Sequence, residues 1–145
     1  MSEKPQLDIR SFDVADTEQV IALWQATGLT RPWNDPRKDI ERKLTVQPEL
    51  FLIGLSGGEL VASAMGGYDG HRGWVNYLAV APECRGRGYG RQIMDHLEER
   101  LIALGCPKLN LQVRGGNDTA IKFYETAGYA RDDVVSFGKR LIPDD

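Results

Sequence analysis

At 145 residues, 41% of them hydrophobic, with a formal net charge of −3, the chain suits one domain with its own core and lacks the basic surplus of a general phosphate-backbone binder. No stretch approaches the roughly 20 apolar residues of a membrane span, MSEKPQLDIR carries no apolar signal segment, and Cys84 and Cys106 form no CxxC pair and have no His at metal-ligand spacing. The composition therefore predicts a metal-free protein of a reducing compartment, the cytoplasm, with no nucleic-acid or membrane partner.

LDIRSF, with Leu7 and Ile9 alternating, predicts a first strand. Asp16 is placed to cap a helix whose apolar residues Val20, Ile21, Leu23 and Trp24 share one face, with Gly28 as its stop. After RPWNDP, Asp35 is placed to cap a second helix through Ile40 and Leu44. Phe51 to Leu55 and Leu60 to Met65 read as a hairpin closed by Ser56-Gly57-Gly58-Glu59. A loop at 69–73 leads into a strand from Trp74 to Val80. A long helix follows, with Ile93, Leu97, Leu101 and Leu104 on one face and Gly105 as its end. KLNLQV predicts a strand with Leu109, Leu111 and Val113 alternating, Asn117 opens another helix, and VVSFGKRL predicts a closing strand. The order implies a single α/β domain over residues 1–145, built around a mixed sheet.

Between the strand ending LAVAPE and the long helix stands Arg85-Gly86-Arg87-Gly88-Tyr89-Gly90-Arg91. A helix N-terminus offers unpaired N–H groups and partial positive charge, so it attracts anions. Alternating glycines remove the Cβ atoms that would bar a phosphate and permit the positive φ of an anion-binding nest. Flanking arginines add charge-assisted hydrogen bonds. No Lys-Ser/Thr pair follows, so this is no P-loop, and the spacing misses the dinucleotide fingerprint. A tight strand-to-helix turn with solvated arginines is the other reading of the same residues.

The stretch from Arg85 to Gly90 resembles the acetyl-CoA signature Arg/Gln-x-x-Gly-x-Gly/Ala of the GNAT superfamily, the Gcn5-related N-acetyltransferases. NDTAIKFYETAGY, with Asn117, Ala120, Phe123, Tyr124, Gly128 and Tyr129, is similar to a second block of that family. The order of elements agrees over nearly the whole chain, and RPWNDP and GGYDGHRG look more narrowly like the bacterial YpeA-like acetyltransferases. The resemblance implies a mostly antiparallel sheet with a splayed central strand and helices on both faces. It implies acetyl-CoA as co-substrate, with main-chain groups of Leu78, Ala79 and Val80 along the pantetheine arm. The N–H groups of Arg85, Gly86, Arg87, Gly88, Tyr89, Gly90 and Arg91 would cradle the pyrophosphate. Asn117 would reach the cofactor, and Tyr124 would protonate the departing thiolate. A backbone N–H of Val80 or Leu78 would polarise the acetyl carbonyl. A homodimer is the implied assembly.

Acetyl transfer to an amine needs alignment, a neutral amine, a polarised carbonyl and a protonated leaving group. The resemblance places the acceptor side between the first two helices, at Arg31-Pro32-Trp33-Asn34-Asp35-Pro36, where Trp33 offers a flat wall or cation–π platform and Asn34 and Asp35 a site for a cationic group. Trp33 packed in the core and Asp35 as a cap describe the same segment as a connector. Asp69 and His71 in the hairpin loop, and Asn76 and Tyr77 on the central strand, are candidates to face the acceptor or relay its proton. Asp69-Gly70 is itself a turn signal, Glu83 fits a turn carboxylate, and His96 a helix-packing role, so no single base stands out. The acceptor is expected to be a primary amine on a small or amino-acid-like molecule. A protein N-terminus or lysine is the alternative, and a CoA-binding regulatory module without turnover the third.

Overall fold

The computed structural model describes residues 6–145 of the chain. Its strands are β1 (Asp8–Ser11), β2 (Phe51–Ser56), β3 (Glu59–Tyr68), β4 (Gly73–Val80) and β5 (Leu109–Asn110). The helices are α1 (Thr17–Ala26), α2 (Pro36–Lys43), α3 (Tyr89–Ala103) and α4 (Asp118–Thr126). The sheet runs β1-β2-β3-β4-β5, antiparallel up to β4 and parallel between β4 and β5. Gly57 and Gly58, both with positive φ, form the two-residue turn that sets the β2–β3 hairpin.

Alternation along β3 sends neighbouring residues to opposite faces. Ser63 receives the indole N–H of Trp24 from α1 at 2.9 Å. On the other face, Leu97 of α3 comes so close that a Cβ on Gly66 would lie 2.4 Å from it. Helices therefore cover both faces, as the resemblance implied. Trp24, Phe51, Ile53, Ile93 and Leu97 are fully buried between them, and Phe51 stacks on Phe12 with centroids 4.5 Å apart.

Asp16 shows how local chemistry departs from the simplest reading. It occupies the N-cap position of α1, yet its carboxylate makes no cap hydrogen bond there. It turns back to accept from the N–H of Asp13 at 2.8 Å and from both guanidinium nitrogens of Arg10 at 2.8 and 2.9 Å. The Arg10 hydrogen bond holds the Asp16 carboxyl below its usual range, against the opposing effect of burial. Asp16→Asn is expected to cost about 1 kcal/mol near neutral pH, modest because half-exposed Arg10 is screened. Because the folded-state value is depressed, that stability is present above the ordinary carboxylate range and is lost as pH falls through the folded value. Urea titrations of both proteins should converge in acid; a difference that persists there would contradict the assignment.

The central strand is bent where it matters most. Ser63 pairs with Ala79, but Met65 pairs with Asn76, so β4 carries one extra residue. Tyr77 takes up the distortion with φ +53. Its carbonyl accepts the Ser63 hydroxyl at 2.7 Å, and its ring stacks on Trp24 with centroids 3.8 Å apart. Ser63 thus satisfies both the carbonyl released by the bulge and the Trp24 indole. Ser63→Ala would orphan both buried groups, at about 1–3 kcal/mol each. Chemical denaturation should show a loss of about 2–6 kcal/mol for the two together; a loss below about 1 kcal/mol would mean the groups find other partners.

Three sequence expectations are corrected. The alternation Leu109, Leu111, Val113 continues as a half-buried pattern, but only Leu109 and Asn110 stay laddered to β4, because the two chains diverge beyond Trp74. VVSFGKRL forms no strand: Val134, Val135 and Phe137 are exposed. A two-residue β5 offers it no edge to pair with, and it is tied by side chains, Lys108 to Asp132 at 2.9 Å and Gln112 to Ser136. Leu104, expected on the buried face of the long helix, lies half-exposed at its C-cap.

Candidate active site

Divergence of β5 leaves the β5-facing edge of β4 from 75 to 80 without a strand partner among the described residues. Leu78, Ala79 and Val80 lie along this stretch; Ala79 pairs with Ser63 of β3, so the alternating residues, Val80 among them, turn their N–H and C=O groups to the open edge, where an extended chain can be accepted. A cavity of about 660 Å³ lies beside it, lined by Met65, Asn76, Tyr77 and Leu78 from the sheet, by Asn117, Ala120 and Tyr124 around α4, and by Arg31, Asn34 and α2 opposite.

The Arg85–Arg91 stretch occupies the start of α3. Gly86 and Gly88 both have φ +82, open space surrounds their missing Cβ positions, and Gly88 is an N-cap without a side-chain cap. The N–H groups of Tyr89, Gly90 and Arg91 at the start of α3 therefore have no side-chain partner among the described residues, as an anion cradle requires. Gly90 has another job: a Cβ there would lie 3.1 Å from the Phe123 ring, so it lets α4 approach α3. Tyr89 points its ring into the core and shares a hydrogen bond with Ser56 at 3.1 Å, leaving only its main chain toward solvent. Arg91 pairs with Asp95 at 3.2 Å, while Arg85 and Arg87 are exposed and carry no ion pair among the described residues.

Asn117 caps α4, its Oδ1 accepting from Ala120 N at 3.2 Å, so its amide NH₂ remains available. Tyr124 meets Phe123 and Tyr129 edge-on at 5.1 and 5.8 Å. Its hydroxyl has no hydrogen bond among the described residues, and burial pushes its pKa up to about 12. It is a protonated phenol facing a cavity, with its donor unspent.

Tyr77 lines the cavity, but its hydroxyl donates to Asp39 Oδ2 at 2.6 Å, and burial followed by that carboxylate raises its pKa. Asn34 lines the cavity and accepts from Arg140. Trp33 is exposed and carries the Arg114 guanidinium 5.8 Å from its ring centroid, which joins the α1–α2 connection to the loop before α4. Asp35 caps α2 through the N–H of Arg37 at 2.9 Å. Asp69 and His71 lie at the β3–β4 tip, outside the cavity lining; Asp69 accepts from the N–H groups of His71 and Arg72 at 2.8 and 2.7 Å, and these hold its carboxyl below the usual range. His96 lies on α3 away from the cavity, its pKa lowered first by burial.

Asp39, Arg42, Lys43 and Arg114 also line the cavity, and sequence reasoning missed them. The 39–42–43 spacing places three polar residues on one helix face, which was the available signal. Among the described residues, no helix is long and apolar enough to cross a membrane.

The chain belongs to the acetyltransferase (GNAT) family, whose model matches residues 18–129. An acetyltransferase of Yersinia enterocolitica is 53% identical to it over 138 residues, covering 95% of this chain and 98% of that protein. Among solved structures, Ard1 from Thermoplasma volcanium superposes with a TM-score of 0.75 at 28% identity, covering 86% of this chain and 82% of its own. AAC(6')-Iy, in complex with the bisubstrate analog CoA-S-monomethyl-acetylneamine, shares the fold with a TM-score of 0.76 at 18% identity, covering 94% and 99%.

Proposed function

We propose that this acetyltransferase moves the acetyl group of acetyl-CoA directly to the primary amine of a small or amino-acid-like acceptor, with Tyr124 as general acid. The observation that carries the reading is the unspent, protonated Tyr124 hydroxyl facing the cavity beside the open edge of β4. Acetyl-CoA supplies the acetyl group as an activated thioester. The free N–H groups at the start of α3, with Arg85 and Arg87 beside them, hold its pyrophosphate. Main-chain groups of Leu78, Ala79 and Val80 align its extended arm, the NH₂ of Asn117 steadies it, and the N–H of Val80 or Leu78 polarises the carbonyl.

As the acceptor nitrogen bonds to the acetyl carbon and the C–S bond breaks, Tyr124 Oη gives its proton to the leaving sulfur, and the proton shed by the nitrogen passes to water, from which the phenol is restored. Direct transfer is favoured because neither cysteine lines the cavity: Cys84 is buried under the loop and Cys106 lies at the far end of α3. A small acceptor is favoured because two residues that line the cavity are tied to other segments, Arg114 to Trp33 and Asn34 to Arg140. AAC(6')-Iy, whose bisubstrate analog joins CoA to a small-molecule amine by its printed name, supports the same direction.

Thiol release should be followed over a panel of small amines, amino acids and N-terminal peptides. Turnover confined to small amines is the expected result. Turnover confined to peptides would move the acceptor to a protein, and acetyl-CoA binding without any turnover would favour a regulatory module.

A further inference from the structure

The charged side chains around the cavity are out of balance with the rest of the chain. Four cations, Arg31, Arg42, Lys43 and Arg114, face one carboxylate, Asp39, in a protein whose net charge is −3. Asp39 is already committed, accepting from Tyr77 at 2.6 Å and pairing with Arg42 at 3.2 Å. Arg42 is further held by Asp144 at 2.6 Å. The other three cations have no carboxylate partner among the described residues: Arg31 donates to the carbonyls of Gly28 and Thr30, and Arg114 lies over Trp33.

Lys43 stands out among them. It is half-buried beside Gly67, it makes no hydrogen bond or ion pair among the described residues, and burial lowers its pKa while Glu49 attracts it only from beyond ion-pair distance. A cation in the last turn of α2 is favoured by the helix dipole. That preference asks only for charge near the helix end and gives no reason to withdraw an ammonium from water without a counter-ion.

We propose that the acceptor carries a carboxylate as well as its amine, and that Lys43 binds the carboxylate with Arg31 and Arg114 beside it. The inference rests on the acetyl-transfer reading above and narrows its acceptor to amino-carboxylates. An anion would supply the missing counter-charge in a partly desolvated site, where a charged pair attracts more strongly than in water. A neutral amide of the same shape would leave the ammonium unpaired.

The test uses product-shaped probes, so it does not depend on turnover. With CoA present, calorimetry would measure binding of the N-acetyl derivatives of glycine, leucine, glutamate and phenylalanine, each against its own C-terminal amide. At least one acid should bind about tenfold or more tighter than its amide, a gap that Lys43→Met removes and Lys43→Arg keeps. Met has nearly the same length and suits a half-buried site, so folding should be retained. Equal binding of acid and amide, no binding by any probe, or a preference unchanged in Lys43→Met would overturn the proposal. Acetyl-CoA titrated into the same samples separates the two levels. A protein that binds acetyl-CoA without preferring acids refutes only the carboxylate assignment, whereas one that fails to bind acetyl-CoA refutes the transfer reading itself.

Discussion

Tyr124→Phe is expected to lower kcat by roughly 10²–10⁴-fold, the range for loss of a positioned general acid, while acetyl-CoA affinity changes little. The substitution keeps the ring, and with it the edge contacts to Phe123 and Tyr129, so α4 should pack as before. Residual turnover should survive, because alignment alone contributes about 7–11 kcal/mol in well-oriented reactions, against about 3–5 kcal/mol for the lost acid. The pH profile gives an independent readout. With the phenol pushed up to about 12, Tyr124 stays protonated across the working range, and the rising limb of rate against pH should follow the acceptor amine alone. The Phe variant should therefore lower the whole profile without moving that limb. Wild-type kcat in Tyr124→Phe would remove the acid role.

Gly88→Glu should weaken CoA binding by about a hundredfold or more, the equivalent of roughly 3 kcal/mol. Two effects add. A side chain at φ +82 strains the backbone by about 1–2 kcal/mol, and a carboxylate at the start of α3 competes with the phosphates for the same N–H groups. The same carboxylate suits the helix dipole, so α3 itself should persist and circular dichroism should barely change. Gly88→Asn separates the effects, since a short polar side chain tolerates the left-handed region and brings no charge; its loss should be much smaller. Affinity retained within twofold by the Glu variant would place the cradle elsewhere.

Most of the fold was legible because its signals are local. Asp35 and Asn117 cap the helices they precede, and Gly57-Gly58 closes the hairpin where the turn residues place it. The family too was readable from two short blocks, and the matched model confirms it. What escaped depends on neighbours distant in sequence. VVSFGKRL has the composition of a strand, but a strand needs an edge, and divergence of β5 from β4 removes it. Asp16 sits at the expected boundary, yet Arg10 on β1 draws its carboxylate away from α1.

The site divides along the same line. The loop at Arg85–Arg91 is contiguous in sequence, so spacing alone was enough to propose it as a phosphate cradle. The cavity beside β4 is assembled from four separate segments, and Lys43 or Arg114 becomes conspicuous only when the counter-ions around it are known. Gly90 illustrates the limit within a motif. Its spacing marks it as part of the phosphate loop, but its lack of a Cβ serves Phe123 on α4.

The most direct test of the central claim is a calorimetric titration of the protein with acetyl-CoA, repeated with desulfo-CoA and with adenosine lacking phosphates. One molecule should bind per chain, desulfo-CoA should retain most of the affinity, and adenosine should lose nearly all of it, if the N–H groups at the start of α3 hold the pyrophosphate as proposed. Absence of acetyl-CoA binding, or equal binding by adenosine, would contradict the account and leave Arg85–Arg91 as a strand-to-helix turn.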